Sequence, residues 1–234
     1  MEHRFFVRNV VRLGWLATAM LAAGSLQAAD DSPYLIEKKV FKKSIRKIAL
    51  TPLDTPALFA LTDEQVAMIE AEMVERLEKK KFDIVPIDTY RQLRDTMIAQ
   101  IGGLEGANGA LDNERVLAVW DHARREMFFR HDVDAIATIS MRPVSAPFEK
   151  DRAEWDGIKQ KIQSKGRGSF SGNIAAASLQ LHFTNRDGEL AYLARGGVSV
   201  LQRREGAKLV EAMDGVFSDD KRLNKAVRLV VDEL

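Results

Sequence analysis

The chain has 234 residues, 46% hydrophobic and 29% charged, with a net charge of +1 and no cysteine. That length suits one domain, or one domain with an appendage, and the composition is that of a globular protein. The near-neutral balance argues against nucleic acid as the main partner, and the lack of cysteine excludes disulfides, thiolate chemistry and Cys-based metal sites.

Residues 1–29 differ from the rest. Arg4, Arg8 and Arg12 precede an apolar run from Leu13 to Gly24, and Ser25-Leu26-Gln27-Ala28-Ala29 follows with small residues. This pattern predicts an export signal cut after Ala28 or Ala29, because the apolar run is too short to span a bilayer comfortably. Its removal takes away three Arg and one Glu and moves the net charge from +1 to about −1. The expected compartment is a bacterial periplasm, with no cysteine to carry a lipid anchor.

Residues 30–43 read as a polar lead-in arm without a clean period. Ser44 to Pro52 predicts a first strand whose apolar end suits burial on both faces. After a loop, Thr62 and Gln65 have the spacing of a capping box for a helix running to about Lys80. Val66, Ile69, Met73, Val74 and Leu77 form its apolar stripe, with the Glu and Lys residues outside. Lys79-Lys80-Lys81 reads as a solvated positive cap. Phe82 to Ile87 predicts a second strand, with Pro86 near an end or edge. Asp88 is expected to cap a helix from Thr89 to about Ile101. Past a glycine-rich connection, Asp112 or Asn113 caps a third helix to about Arg130, with Val116, Leu117, Trp120, Ala123 and Met127 inward. Asp132 to Met141 predicts a third strand, and residues 143–173 read as a long irregular loop.

Residues 174–202 predict a long β-hairpin. Ala177, Leu179, Leu181 and Phe183 alternate with Ser178, Gln180, His182 and Thr184, the period of a half-buried strand. Asp187-Gly188 is a hairpin turn signal. Gly196-Gly197 in the returning strand predicts a bulge or a close approach by another backbone. Arg203 to Gly206 reads as a turn, Lys208 to Phe217 as a short extended segment, and Ser218 as the cap of a final helix with Leu223, Ala226, Val227 and Val230 inward.

Together these elements predict an α/β (α+β) domain over residues 44–234: a mixed β-sheet of about five strands with a late long hairpin, and helices packed on the sheet. The order of "KIALTPLD", "KKKFDIVPIDTYRQL", "DAIATISM" and "LQLHFTNRDGELAYLARGGVSV" behind an export signal resembles the TolB amino-terminal domain and its relatives, including the curli-secretion channel family and the periplasmic activators of peptidoglycan synthases. The resemblance covers most of residues 44–232 and is carried by Phe82 to Pro86, Asp187-Gly188-Glu189 and the strand pattern. It implies a non-enzymatic binding or assembly module of the cell envelope. Two features depart from it: the missing lipid-carrying cysteine and a longer segment at residues 102–130.

No nucleophile elbow or phosphate loop is present in the sequence. Phe148, Trp155, Arg167 and Phe170 are the expected partner-binding residues, as aromatic and Arg anchors in the 143–173 loop. The expected route is protein–protein contact with envelope proteins through that loop and a sheet edge. Outer-membrane association without a lipid anchor, and self-association, stay open as partner modes. No catalytic residue, metal or cofactor is expected on this reading. The alternative is a small secreted metal-dependent hydrolase using His131, Asp132 and Asp134, three possible metal ligands within four positions. His182, on the polar face of the hairpin, reads as an exposed strand residue.

Overall fold

The computed structural model describes residues 32–106, 109–165, 170–206, 208–212 and 217–234. The expected export signal at 1–29 lies outside the described residues. Pro33–Leu234 form one unit.

The architecture is a mixed seven-stranded sheet with helices packed on it, and a separate three-stranded sheet. β1 (Lys47–Leu50) pairs in parallel with β2 (Asp83–Val85) on one side and β3 (Ala135–Glu149) on the other. β3 then pairs antiparallel with β7 (Ser171–Asn185) over the full length of both, and β7 pairs with β8 (Leu190–Val200). β4 (Arg152–Trp155) and β5 (Ile158–Lys161) form a hairpin joined to the far end of β3. β6 (Ser164–Lys165), β9 (Gln202–Glu205) and β10 (Lys208–Glu211) make the small sheet.

One face of the main sheet is covered from Ala135 to Met141 on β3 and from Ala177 to Phe183 on β7; beyond them Pro143, Ser145, Pro147 and Glu149 of the same face are exposed. Odd-numbered residues of β3 and β7 (Ala135, Ala137, Ile139, Met141, Ala177, Leu179, Leu181 and Phe183) join one core with α1 (Lys38–Ser44), α2 (Asp63–Lys79) and α5 (Asp220–Asp232). The period of two read in the hairpin delivers this face. The lead-in arm is more ordered than its sequence suggests. Phe41 of α1 is buried in a ring cluster with Tyr34, Phe82, Phe183 and Tyr192. Residues 33–35 also extend the sheet: Leu35 N–H donates to Ala191 O at 3.0 Å, and Leu193 N–H donates to Pro33 O at 2.8 Å.

The other face has two separate covers. At the near end, α3 (Ile87–Gln100) and α4 (Asn113–Arg130) enclose Ala49, Val85, Tyr90, Ala123, Met127, Val133 and Ile136. At the far end, the β4–β5 hairpin folds over Ala146, Phe148, Ile174, Ala176 and Val200.

The segment expected as a loop at 143–173 is therefore mostly strand. Pro143 and Pro147 hide this in the sequence, since proline is excluded from the middle of a sheet. The structure explains why they fit. Met141 N–H donates to Asp54 O at 2.8 Å, and Ile139 O accepts from Asp54 N–H at 3.0 Å, so odd-numbered positions of β3 turn their backbone groups away from β7. Pro143 and Pro147 keep that parity after β1 has ended and before β4 begins, where no strand waits for an N–H.

The Thr62–Gln65 capping box forms in both directions. Asp112 caps α4, accepting from Glu114 and Arg115 N–H. Three local expectations change. Asp88 lies in the first turn of α3 rather than capping it, with Pro86 at the N-cap. Asp219, not Ser218, caps α5 by accepting from Lys221 N–H at 3.1 Å. Glu70, expected outside, is buried; its carboxylate accepts from Leu53 N–H at 2.9 Å and pairs with Arg91.

Gly196 and Gly197 serve both purposes read for them. The β7–β8 register shifts beside Ser178, opposite Gly197. A Cβ at Gly196 would lie 2.5 Å from the backbone oxygen of Ala226 in α5, and one at Gly197 would lie 2.5 Å from Ile158 Cγ1. The strand is squeezed between a helix backbone on one face and the β4–β5 hairpin on the other. Gly196→Ala is accordingly expected to destabilise the fold by about 1–3 kcal/mol or more, because the obstructing atom is backbone and cannot rotate away. Urea unfolding midpoints of the two proteins measure this.

Candidate functional site

Between the two covers the second sheet face is left open. Its floor comes from even positions of β3 and β7 and the matching positions of β8. The cross-strand rows are Thr138–His182–Leu193 and Ser140–Gln180–Arg195, with Arg142 opposite Ser178 in the next row. Near-end and far-end neighbours on the same face are apolar: Ile136 on one side, Ala146 and Phe148 on the other. The polar strip is thus a gap of a few residues in an otherwise covered surface.

Its polar groups are held in place from below and from the rim. Arg142 pairs with Asp54, which also bridges to Ser140. Ser178 is fully buried at the far rim, donating to Asp156 Oδ2 at 2.5 Å and accepting from Trp155 Nε1 at 3.1 Å. Arg195 is exposed and has no ion-pair partner among the described residues. At the near rim, Arg124 of α4 and Arg186 of the β7–β8 turn both lie over the Phe128 ring, each at 5.9 Å. Leu117, Trp120 and Arg124 fall on the same side of α4 as Phe128 by helical spacing. Leu117 was expected to be inward but is 68% exposed; the buried stripe runs through Val119, Ala123 and Met127 instead. The gap therefore has a polar floor and an amphipathic wall.

His182 sits in this floor, half-buried rather than exposed. Burial first, and then the Arg142 charge, hold its pKa below the ordinary 6.5. Both causes penalise the imidazolium, so the fold accommodates the neutral ring.

The expected partner-binding residues do not form this surface. Phe148 is 8% exposed and Trp155 is 7% exposed; both sit in the core beneath the β4–β5 hairpin, and Trp155 Nε1 also donates to Ala177 O at 3.3 Å. Ala176 on β7 and Ala146 on β3 leave room for these rings. Arg167 lies outside the described residues. Phe170 is 37% exposed and stacks under the guanidinium of Arg204 at 4.6 Å. Arg204 itself is buried, pairing with Asp151 at 3.0 Å and donating to Gly206 O at 2.7 Å. This pins the small sheet to the end of β3.

His131, Asp132 and Asp134 do not converge. Asp134 Oδ2 accepts from Arg46 N–H and Lys47 N–H, each at 2.8 Å, and so fixes the start of β1. Asp132 pairs with Arg186 at 2.7 Å. Among the described residues no three His, Asp or Glu side chains gather as metal ligands.

The β8 and β2 edges are guarded. β8 is covered by residues 33–35 at one end, and Gly197 N–H donates to Asp156 O at 2.8 Å at the other. β2 has three residues and runs into Pro86, a blunted edge. Comparison with family models, curated proteins and solved structures found no match for this chain.

Two outcomes follow. Trp155→Ala is expected to cost about 3–5 kcal/mol in urea unfolding, as removal of a core ring does. For His182, the unfolded chain takes up a proton as pH falls through its ordinary value of 6.5, while the folded chain resists. Its contribution is therefore whole above that pH and is lost as pH falls through the lowered folded value. Between roughly pH 7 and pH 5 the melting temperature should fall less steeply in His182→Gln than in the parent, read by thermal scans across that window.

Proposed function

We propose that this chain is an exported, periplasmic, non-enzymatic binding or assembly module of the bacterial cell envelope, acting through protein–protein contacts. The reading is supported first by the open strip on the second sheet face. Half-buried polar side chains and Arg195, which has no ion-pair partner among the described residues, lie in adjacent rows of that face, and Leu117 of α4 is exposed. Polar groups on a sheet that are neither fully solvated nor paired with a covering layer suit a partner that completes their hydrogen bonds. The basic, apolar and small-residue order of the leader supports export. The resemblance to TolB-like envelope domains supports the kind of task.

On this reading the partner seats a polar segment on the Thr138–Gln180–His182 floor and an apolar group against Leu117 and Trp120. Arg and aromatic side chains are the usual anchors of such contacts. The partner is an envelope protein.

The test is crosslinking and affinity capture from envelope extracts with the parent chain, Leu117→Glu/Arg195→Glu, and a control changed at exposed Lys208 and Lys225. Capture should fall at least tenfold in the double variant, about 1.4 kcal/mol of binding, and persist in the control. A captured set that is the same for all three chains overturns the assignment of this face.

A further inference from the structure

A second surface has a different chemistry. Lys79, Lys80 and Lys81, which read in the sequence as a solvated helix cap, face α1 and the start of β1 across a cavity of about 250 Å³. The cavity is lined by Lys42 and Arg46 on one side and by the three lysines on the other, over a floor of Phe41, Ile45, Phe82 and Leu234. Five cations and no acidic side chain line one small hollow, in a chain whose net charge is only +1.

The cations are mostly uncommitted. Lys79 pairs with Glu75, and Lys80 donates to the carbonyl oxygen of Asp232 at 2.7 Å and to a terminal oxygen of Leu234 at 3.1 Å. Lys42, Arg46 and Lys81 have no ion-pair partner among the described residues. Glu75, which pairs with Lys79, and Asp134, whose carboxylate accepts from Arg46 N–H, are outside the lining. Lys38, Lys39 and Lys43 add charge along the same short helix. Like charges held this close repel one another, and an anion among them relieves that repulsion.

The floor narrows the class of anion. Phe41 and Ile45 are buried beneath the cations, and Phe82 packs on the same ring cluster. A bare ion would leave the exposed part of Phe82 wet. The volume is below that of most drug-sized sites, so it suits one compact anionic group with a few carbons attached. Several ammonium donors and one guanidinium, arranged around a point, suit a phosphate with its several acceptor oxygens.

We propose that this pocket binds a phosphate group carried on a small apolar moiety. The same chemistry is offered by an anionic phospholipid headgroup and by a soluble phosphate ester. The site is remote in kind from the polar strip on the sheet, and it stands whether or not that strip binds a protein.

The experiment is isothermal titration of the full chain with two probes: dibutyryl phosphatidylglycerol, kept monomeric in solution, and inorganic phosphate. The proteins are the parent, Lys42→Glu/Lys81→Glu, and the Lys208→Glu/Lys225→Glu control. Both altered pairs are solvent-exposed, and thermal unfolding checks that each variant is folded. The parent should bind the short-chain lipid saturably, the Lys42/Lys81 variant at least tenfold more weakly, and the control as the parent does. Tighter binding of the lipid than of phosphate assigns the natural source to lipid headgroups. Equal binding of the two overturns the proposal, because the attached apolar group then adds nothing. Binding of neither probe by the parent overturns the proposal, and so does equal binding by the parent and the Lys42/Lys81 variant.

Discussion

The pairing of β3 with β7 is the constraint on which the rest of the structure depends. Fifteen residues of each strand are in register, from Ala135 opposite Asn185 to Glu149 opposite Ser171. A ladder of that length is longer than any single helix here can cover. Alternation of side chains then sets two faces with different fates. The odd face is apolar from Ala135 to Met141 and from Ala177 to Phe183, where it takes α1, α2 and α5, and is exposed beyond. The even face is apolar only at its two ends, so it takes two unrelated covers and leaves a polar stretch between them.

The squeeze at Gly196 and Gly197 follows from the same geometry. The β4–β5 hairpin must reach across from the end of β3 to β8 if it is to bury Phe148 and Trp155. It does so where α5 already lies against the opposite face. Only residues without side chains fit between a helix backbone and a packed isoleucine. The hairpin is then locked by Asp156, which offers its backbone oxygen to Gly197 and its carboxylate to Ser178. The far rim of the open strip is therefore built from the same contacts that close the far core. A protein that binds there meets a rim already rigid, which lowers the cost of ordering.

Electrostatic pairing divides the surface by role. Around the strip, charges are mostly paired: Arg142 with Asp54, Arg186 with Asp132. Asp134 and Glu70 spend their carboxylates on backbone N–H groups and hold loops to strands. In the hollow between α1 and the end of α2 the balance is opposite, with cations collected and acids left out. Charges whose partners sit alongside serve the fold. Charges brought together without partners repel, and such an arrangement persists where something else offsets it.

Much of the architecture was legible in the sequence because it rests on local rules. The Thr62–Gln65 cap, the odd-face stripe of β7, the Asp187-Gly188 turn and the tight fit at Gly196-Gly197 each follow from residue type and spacing. The α/β (α+β) class follows from their order. What residue spacing could not decide was anything that needed two distant segments at once. Pro143 and Pro147 look like strand breakers until β1 is seen to stop short of them. Phe148 and Trp155 look like surface anchors until Ala146 and Ala176 are seen to make room beneath the hairpin. Leu117 looks buried until the tilt of α4 turns Val119 inward instead. Lys79-Lys80-Lys81 form the exposed cap that the sequence predicts, but that α1 folds back and sets Lys42 and Arg46 opposite them was not legible. Local hydrogen bonding and periodicity act over a few residues and are written in the chain. Burial and the company a charge keeps are set by which surfaces meet, and only the folded chain decides that.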